Sequence, residues 1–415
     1  MITVFADTLE KYRNKCASLR LWFYVWDNGD AYTEVQTEEH AGNTMSGILC
    51  INKGNKAVDI SAISADEHRV CVLADWGQSS SDHELEQSLP DGRWEAQGFV
   101  RRGGRWDKMQ VQIIPLQEDL FSRARGLFDS GVLSNACVFV AGLGSVGSFV
   151  AEELAKSGVM NFILLDNERY TVGNVARSSA RILDVGRRKT KVVEEQIHQK
   201  NCYARTETYD VKLIWRPREV ELARRLVRRS DIVIGSVDNR DPRVILNRLC
   251  VEENKRLILM GALHRAYGGQ VLFVKKPGPC YQCFLMTLPA DSDHGVSDLG
   301  QGRHIPYADH PVDNLEPGLS IDIAPISIMC LKLCINELLK GKPTTMRSLD
   351  EDLIAPWYIY LNRREGPYEE LKPLGFNVGD GMHILAWYGI DLKPNPGCPV
   401  CGGNHINEMS RNYGV

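Results

Sequence analysis

Residues 137–166 read CVFVAGLGSVGSFVAEELAKSGVMNFILLD, and their pattern indicates the class of fold. An apolar run ends in glycines, an amphipathic segment typical of a helix follows, and a second apolar run ends on an aspartate. The same alternation returns in RRSDIVIGSVD (228–238), RVILNRLCVEEN (243–254) and RLILMGALH (256–264). Strand, helix and strand repeated in this order predict an α/β fold with a doubly wound, mainly parallel sheet.

A smaller N-terminal unit precedes this pattern. Two β-rich runs flank the tetrapeptide DNGD at 27–30, which is a hairpin signal, and a second turn lies at 101–105. We therefore expect an α+β accessory or recognition domain over residues 1–116, followed by the parallel-sheet domain over residues 117–415. The N-terminal unit carries five tryptophans but no metal-ligand or nucleophile pattern, so we expect it to recruit a partner.

Composition limits the classes of function. The 415-residue chain is 43% apolar and 25% charged, close to globular averages. A formal net charge of −4 argues against a nucleic-acid coat or a polybasic membrane anchor, and no apolar run is long enough to span a bilayer. The first residues lack the basic-then-apolar order of a signal peptide, so we expect a cytoplasmic protein. Its 12 cysteines should then stay reduced, which favours metal binding or chemistry over disulfides.

The glycines of the first stretch predict a nucleotide site. Gly142, Gly144 and Gly147 separate a strand from a helix in the spacing G-x-G-x-x-G. Glycine permits a tight turn there and lets backbone N–H groups approach a phosphate at the positive end of the helix. Asp166 ends the next strand about 20 residues on, where a carboxylate can accept hydrogen bonds from ribose hydroxyls. Alone, this Rossmann-like motif fits any nucleotide or dinucleotide, with NAD the commonest.

Further polar residues favour ATP over NAD. ATP carries about four negative charges, and breaking its α–β bond requires cations that stabilise the departing pyrophosphate. Asp238, at the end of a later strand, can hold Mg²⁺ on the phosphates. Each basic residue alone is better explained as a solvated surface charge, and their joint spacing is what favours ATP. The candidates nearest the motif in sequence are Arg123, Asn174, Arg177 and Lys189.

The ordered set of motifs resembles the adenylation core of the ThiF/MoeB-type proteins, bacterial relatives of ubiquitin-activating enzymes. The likeness extends over roughly residues 120–403, and the N-terminal unit lies outside it. The motifs that carry it are residues 138–191, SVDNRDPR (236–243), PCYQC (279–283), EPGLSIDIAPI (316–326) and NPGCPVC (395–401).

The resemblance implies a role for each matching residue. An arginine before the first strand reaches, in this family, into the site of the partner subunit. Arg123 matches it and Arg125 is the second choice, so the resemblance implies a homodimer. Arg123, Arg177, Lys189 and Asp238 would form the catalytic set that stabilises pyrophosphate. The nucleotide would contact Gly142, Gly144, Gly147, Asp166 (ribose), Asn174, Arg177 and Lys189 (phosphates), Asp238 (through Mg²⁺) and Asn239.

Two C-x-x-C pairs predict a metal site. Cys280 with Cys283, and Cys398 with Cys401, offer four thiolates, the ligand set of tetrahedral structural zinc. Pro-Gly-Pro-Cys and Pro-Gly-Cys-Pro are turns suited to directing two cysteines at one ion. Similar pairs in the family attach the C-terminal segment to the core. A redox pair is the alternative, disfavoured because no thioredoxin-like βαβ pattern surrounds either motif.

A thioester cysteine is missing from the position where many family members carry one. Asn314 stands there, ahead of the EPGLSIDIAPI-like segment, and no cysteine occurs in residues 284–329. Cys330 and Cys334 lie at helical spacing within an apolar face, which favours core packing over reactivity. The polar stretch 291–313 is predicted to be a mobile loop that gates acyl transfer.

These expectations combine into a function. We expect an adenylyltransferase that uses ATP, with Mg²⁺ and structural Zn²⁺, to activate the C-terminal carboxylate of a ubiquitin-like protein. The pathway would be a bacterial ubiquitin-like conjugation system, with the adenylate passed to a conjugating-enzyme-like acceptor and no thioester on the chain itself. One alternative is an adenylyltransferase for a peptide or small-molecule carboxylate. A less favoured alternative is an NAD-dependent oxidoreductase.

Overall fold

The computed structural model describes residues 1–12, 18–26, 31–35, 44–52, 69–77, 93–288, 317–371 and 381–402. The chain divides into two compact units, Met1–Arg123 and Ala124–Val415. We call them the N-terminal unit and the C-terminal unit.

Within the described residues, the N-terminal unit is a mixed eight-stranded sheet with two short α-helices, α1 Ala6–Tyr12 and α2 Leu116–Leu120. Its strands are β1 Ile2–Phe5, β2 Ser18–Trp26, β3 Ala31–Val35, β4 Thr44–Asn52, β5 Val70–Gly77, β6 Arg93–Arg102, β7 Arg105–Met109 and β8 Val111–Ile114. They lie in the order β7-β6-β5-β4-β2-β3-β1-β8. β1 is parallel to β3 and β8, β4 is parallel to β5, and the remaining pairs are antiparallel.

Both predicted hairpins are confirmed. β2 and β3 pair antiparallel up to Trp26 opposite Ala31, while the connecting residues 27–30 lie outside the described residues. β6 and β7 are joined by Gly103 and Gly104, whose φ angles are +55° and +85°. A two-residue hairpin turn requires this left-handed backbone at both positions, which glycine adopts without a steric penalty.

A buried carboxylate joins three elements of the N-terminal unit. Glu34 on β3 is 3% exposed and accepts hydrogen bonds from the Phe5 N–H at 2.8 Å and the Thr8 hydroxyl at 2.5 Å. Burial raises the pKa of Glu34 to about 7. The apolar core around it includes Ile2, Val4, Leu9, Phe23, Leu49 and Val72.

The C-terminal unit alternates strands and helices, as the sequence predicts. Its strands are β9 Cys137–Ala141, β10 Asn161–Leu165, β11 Arg205–Tyr209, β12 Ile232–Gly235, β13 Arg256–Ala262, β14 Gly268–Val274, β15 Trp357–Leu361 and β16 Ala386–Ile390. Its α-helices are α3 Ser130–Ser134, α4 Ser145–Lys156, α5 Val172–Val175, α6 Lys189–Lys200, α7 Pro217–Arg229, α8 Arg240–Glu252, α9 Tyr281–Leu285, α10 Ser320–Leu339 and α11 Ser348–Asp352.

The strand order of this second sheet is β11-β10-β9-β12-β13-β14-β15-β16. β9 to β13 run parallel, with the chain moving outward from β9 on one side and from β12 on the other. β14, β15 and β16 extend the sheet antiparallel. The order reverses between β9 and β12, and ligands of open α/β sheets bind at such a point, outside the carboxyl ends of the strands.

Helices cover both faces of the parallel strands. Along β9, Val138 and Val140 pack in the core that contains α4, α6 and α10, while Phe139 and Ala141 pack in the core that contains α7, α8 and α9. This alternation follows from the two-residue period of side chains in a strand. The doubly wound, Rossmann-like sheet is therefore confirmed. In the described part of the chain, no helix combines the length and the apolar character needed to cross a membrane.

Candidate functional site

Three loops that carry predicted site residues leave the same edge of the C-terminal sheet. Leu165 and Gly235 both pair with Ala141, so β10, β9 and β12 end at one level. The glycine loop, the Asp166 loop and the loop that contains Asp238 begin there. A further contact ties two of the loops together, because the Ser236 hydroxyl donates to the Gly142 carbonyl at 2.7 Å.

The three glycines of the loop have different structural roles. Gly142 has φ +87°, and a Cβ on Gly147 would lie 1.9 Å from the Gly142 carbonyl oxygen, so the turn itself requires glycine at both positions. Gly144 is different, since apart from Gly144, its two chain neighbours and the adjoining helix backbone no heavy atom of the described chain lies within 4 Å of the position a Cβ would take. Gly144 also directly precedes α4, at the positive end of the helix dipole. Its bare backbone can thus admit a ligand rather than a neighbouring part of the chain.

Asp166 holds the glycine loop in place. It is 9% exposed and accepts hydrogen bonds from the Leu143 N–H at 2.7 Å and the Glu168 N–H at 2.8 Å. The Tyr170 hydroxyl fixes the same loop by donating to the Leu143 carbonyl at 3.0 Å. Both carboxylate oxygens of Asp166 are therefore engaged in loop structure, and the predicted ribose contact would use their remaining lone pairs.

Lys189 is a buried cation beside this loop. It is 5% exposed, its Nζ lies 2.6 Å from a Glu168 carboxylate oxygen, and it lies 5.9 Å from the Tyr170 ring centroid. Burial disfavours its charge, but the carboxylates of Asp166 and Glu168 outweigh that effect and raise the pKa of Lys189. The ammonium is therefore fixed in position and charged at neutral pH, as a phosphate-binding cation needs to be.

Asn174 and Arg177 lie on the segment between β10 and α6. The Asn174 Oδ1 accepts from the Thr171 N–H at 2.9 Å and so caps the short helix α5. This segment is held near α4, because the Ser179 N–H donates to the Ser148 hydroxyl at 3.3 Å. Arg177 is half-buried.

The remaining predicted residues are exposed. Asp238 follows β12, and Asn239 is the residue that directly precedes α8. Arg123 belongs to the N-terminal unit, in a 3₁₀ turn, whereas Arg125 belongs to the C-terminal unit. The structure brings the glycine loop, Asp166 and Lys189 into one contact network.

Sequence reasoning missed Glu168, Tyr170 and Ser236, which organise this network. Glu168 and Tyr170 follow the end of β10 within five residues, and Ser236 directly follows β12. The sequence feature that could have identified them is their position directly after a strand, since polar residues that follow parallel strands gather at one sheet edge. Nothing in their local pattern distinguishes them from ordinary loop residues.

The four predicted metal ligands form one cluster. The sulfurs of Cys280, Cys283, Cys398 and Cys401 all lie within 4.8 Å of one another. The Sγ–Sγ distances are 4.0 Å for 280–283, 3.6 Å for 280–398 and 3.3 Å for 283–401. Sulfurs placed about 2.3 Å from one tetrahedral zinc are about 3.8 Å apart, so the donor set and its spacing suit that ion.

Backbone N–H groups support two of these sulfurs. The Asn395 N–H donates to the Cys283 sulfur at 3.4 Å, and the Val400 N–H donates to the Cys398 sulfur at 3.5 Å. Such donors stabilise the negative charge of a thiolate. The cluster joins α9 to the segment that follows β16.

Cys330 and Cys334 are core residues. Both are 0% exposed on α10 and pack in the same apolar core as α4. Burial raises the pKa of both thiols, that of Cys334 to about 12, which disfavours the nucleophilic thiolate. Their predicted packing role is confirmed. Asn314 and the stretch 291–313 lie outside the described residues.

The chain is similar to several proteins of known identity. Ubiquitin-like modifier-activating enzyme 5 of Dictyostelium discoideum is 25% identical over 191 residues, which cover 43% of this chain and 50% of that protein. The sulfur carrier protein ThiS adenylyltransferase of Escherichia coli is 25% identical over 280 residues, 67% of this chain and 90% of that protein. The crystal structure of E. coli MccB with ATP is 18% identical, with a TM-score of 0.47 over 66% of this chain and 68% of that one.

The chain spans about half the length of the first curated relatives it matches. Residues 122–348, more than half of the 415 in the sequence, match the ThiF family. This region contains the glycine loop, Asp166, Lys189 and Asp238. The chain therefore belongs to the ThiF family.

Proposed function

We propose that the chain adenylates the C-terminal carboxylate of a ubiquitin-like protein at the expense of ATP. The observation that carries this proposal is the contact network at the carboxyl edge of the sheet. There Asp166 holds the glycine loop, whose backbone is open at Gly144, and it also accepts from the N–H of Glu168, the partner of the fixed, buried cation Lys189. A pyrophosphate bridge needs only backbone donors, whereas transfer of AMP also needs cationic groups at the departing phosphates.

The reaction joins a carboxylate to AMP. A carboxylate oxygen attacks the α-phosphorus, the α–β phosphoanhydride bond breaks, and pyrophosphate leaves with the bonding electron pair. The product is an acyl-adenylate, and no general base is needed because a carboxylate is already ionised at neutral pH. Lys189, Arg177 and Arg123 would stabilise the charge that moves onto pyrophosphate.

Two metal ions belong to this proposal. Asp238 would hold Mg²⁺, which screens the phosphate charges, and its exposed carboxylate at the sheet edge supports that role. The four-cysteine cluster would hold a structural Zn²⁺ that fastens the C-terminal segment to α9.

The proposed partners are a ubiquitin-like protein, a conjugating-enzyme-like acceptor and a second copy of the chain. Names of relatives such as ubiquitin-like modifier-activating enzyme 5 support the first. Arg123, offered in trans, would complete the partner's site in a homodimer. Residues 1–116 would recruit a partner. Because Cys330 and Cys334 are buried, the acceptor nucleophile is proposed to come from another molecule.

Substitution of Gly144 by alanine tests the nucleotide site. The change leaves room for the new methyl group within the described chain, and φ at this position is −76°, so the fold should be retained. The methyl group would, however, occupy the approach of a phosphate to the backbone. We expect the dissociation constant for Mg-ATP, measured by isothermal titration calorimetry, to rise about tenfold or more, a loss of roughly 1.4 kcal/mol.

Gly147→Ala provides the contrast. Its Cβ would collide with the Gly142 carbonyl, so this variant should lose stability by about 1–3 kcal/mol or more. If Gly144→Ala binds Mg-ATP as tightly as the wild type while remaining folded, the phosphates do not lie against this loop and the proposal fails.

A further inference from the structure

Asn247 is a buried amide beside the cysteine cluster. It lies on α8 with 1% of its surface exposed, and its Oδ1 accepts a hydrogen bond from the Tyr281 N–H at 2.8 Å. Tyr281 follows Cys280 directly, so this bond fastens the Asn247 side chain next to a predicted metal ligand. The Tyr281 N–H can only donate, so the oxygen of the amide faces it and the nitrogen occupies the other position of the amide group.

The nitrogen end of this amide has no hydrogen-bond partner among the described residues. Leaving a buried donor unsatisfied costs about 1–3 kcal/mol, so such a group calls for an explanation. Tyr281 directly follows Cys280, so the Asn247 amide, held 2.8 Å from the Tyr281 nitrogen, lies beside the backbone of Cys280. The Cys280 thiolate is therefore an acceptor that can satisfy the unpaired Nδ2 donor of Asn247.

Two of the other three sulfurs accept a hydrogen bond from a backbone N–H. Cys283 accepts from the Asn395 N–H, and Cys398 accepts from the Val400 N–H. Four thiolates around one divalent cation leave a net charge of −2, which donors on the sulfurs partly offset. The Asn247 amide stands beside Cys280, where it can add a side-chain donor to this sulfur.

We propose that Asn247 is a positioning residue of the metal site, whose Nδ2 donates to the Cys280 thiolate when the cluster is loaded. The inference rests on the proposed zinc site. The Oδ1 bond to Tyr281 orients the amide, and the Nδ2 bond orients the sulfur and lowers the cost of its negative charge. Side chains that support metal ligands in this way change metal affinity by about 10- to 100-fold when removed.

The test uses the full chain, stripped of metal under reducing conditions and titrated with Zn²⁺ against a chromophoric chelator. Asn247→Asp keeps the acceptor for the Tyr281 N–H and removes the donor to sulfur. Asn247→Ala removes both. Asn201→Ala is the matched control, because Asn201 is equally buried in the same unit but donates to the carbonyls of Ala155 and Val159.

We expect Asn247→Asp and Asn247→Ala to bind Zn²⁺ roughly 10- to 100-fold more weakly than the wild type, with Asn201→Ala within about twofold. The thiolate-to-metal absorption of the Co²⁺-loaded protein should shift in the Asn247 variants only. If Asn247→Asp binds Zn²⁺ with wild-type affinity and shows an unchanged Co²⁺ spectrum, the role of Asn247 is overturned while the zinc assignment stands. A wild-type chain that binds no Zn²⁺ would overturn it together with the zinc assignment, and ATP–pyrophosphate exchange would still report separately on adenylation.

Discussion

Asp238→Ala should lower the rate of ATP–pyrophosphate exchange by about 100- to 1000-fold. Removing one preorganised electrostatic group from a phosphate or oxyanion site costs roughly 3–4 kcal/mol of transition-state stabilisation. Asp238 lies at the edge where the sheet order reverses, on the loop that Ser236 ties to Gly142. Its side chain is exposed, so the variant should fold normally and the loss should be one of function.

Asp241→Ala is the control for this substitution. Asp241 is exposed in the first turn of α8, the helix that begins two residues after Asp238, and Asp241→Ala removes the same charge three residues away. It should retain exchange within about threefold, because long-range effects of an exposed charge are screened by salt. If both variants keep the exchange rate of the wild type, neither carboxylate holds the magnesium of the reaction.

Cys398→Ser should abolish zinc binding and lower the Tm by about 6–12 °C, the shift for roughly 3 kcal/mol in a domain of this size. Cys398 is fully buried and lies 3.6 Å from the Cys280 sulfur, in the segment that follows β16. Without the metal, this segment loses its attachment to α9. Differential scanning calorimetry of the full chain, with and without a zinc chelator, measures the effect.

Cys250→Ser is the control that separates the loss of Tm caused by losing the metal from the loss caused by burying a hydroxyl group. Cys250 is equally buried in the same apolar core but lies outside the four-cysteine cluster. The chelator should lower the Tm of the wild type and of Cys250→Ser, and should leave Cys398→Ser unchanged. A chelator that has no effect on the wild type would contradict a structural zinc site.

The sequence predicts the local parts of this fold well because their signals are local. Alternating apolar residues determine β9 and β10, and the glycine spacing between them determines the turn at Gly142. The two hairpins follow from turn chemistry in the same way. The direction of β14 within the sheet is different, because it depends on which strand its hydrogen bonds reach after the chain has folded.

The site is predicted only in part for the same reason. The glycine motif and the two C-x-x-C pairs are visible as patterns, so their residues could be named beforehand. The burial of Lys189 between Asp166 and Glu168 joins residues that are 21 or more positions apart in the chain. Asn247 reaches Tyr281 across 34 positions, and no local pattern marks such a contact.

The most direct test of adenylation is the exchange of ³²P-labelled pyrophosphate into ATP by the purified 415-residue chain. The assay would supply Mg²⁺ and a panel of ubiquitin-like proteins that end in glycine, with carboxylate-ended peptides as a second panel. Labelled ATP should appear only when a cognate carboxylate is present, and AMP should be released once an acceptor is added. Release of ADP and phosphate instead, or tight binding of a nicotinamide dinucleotide with no exchange on any panel, would contradict the account.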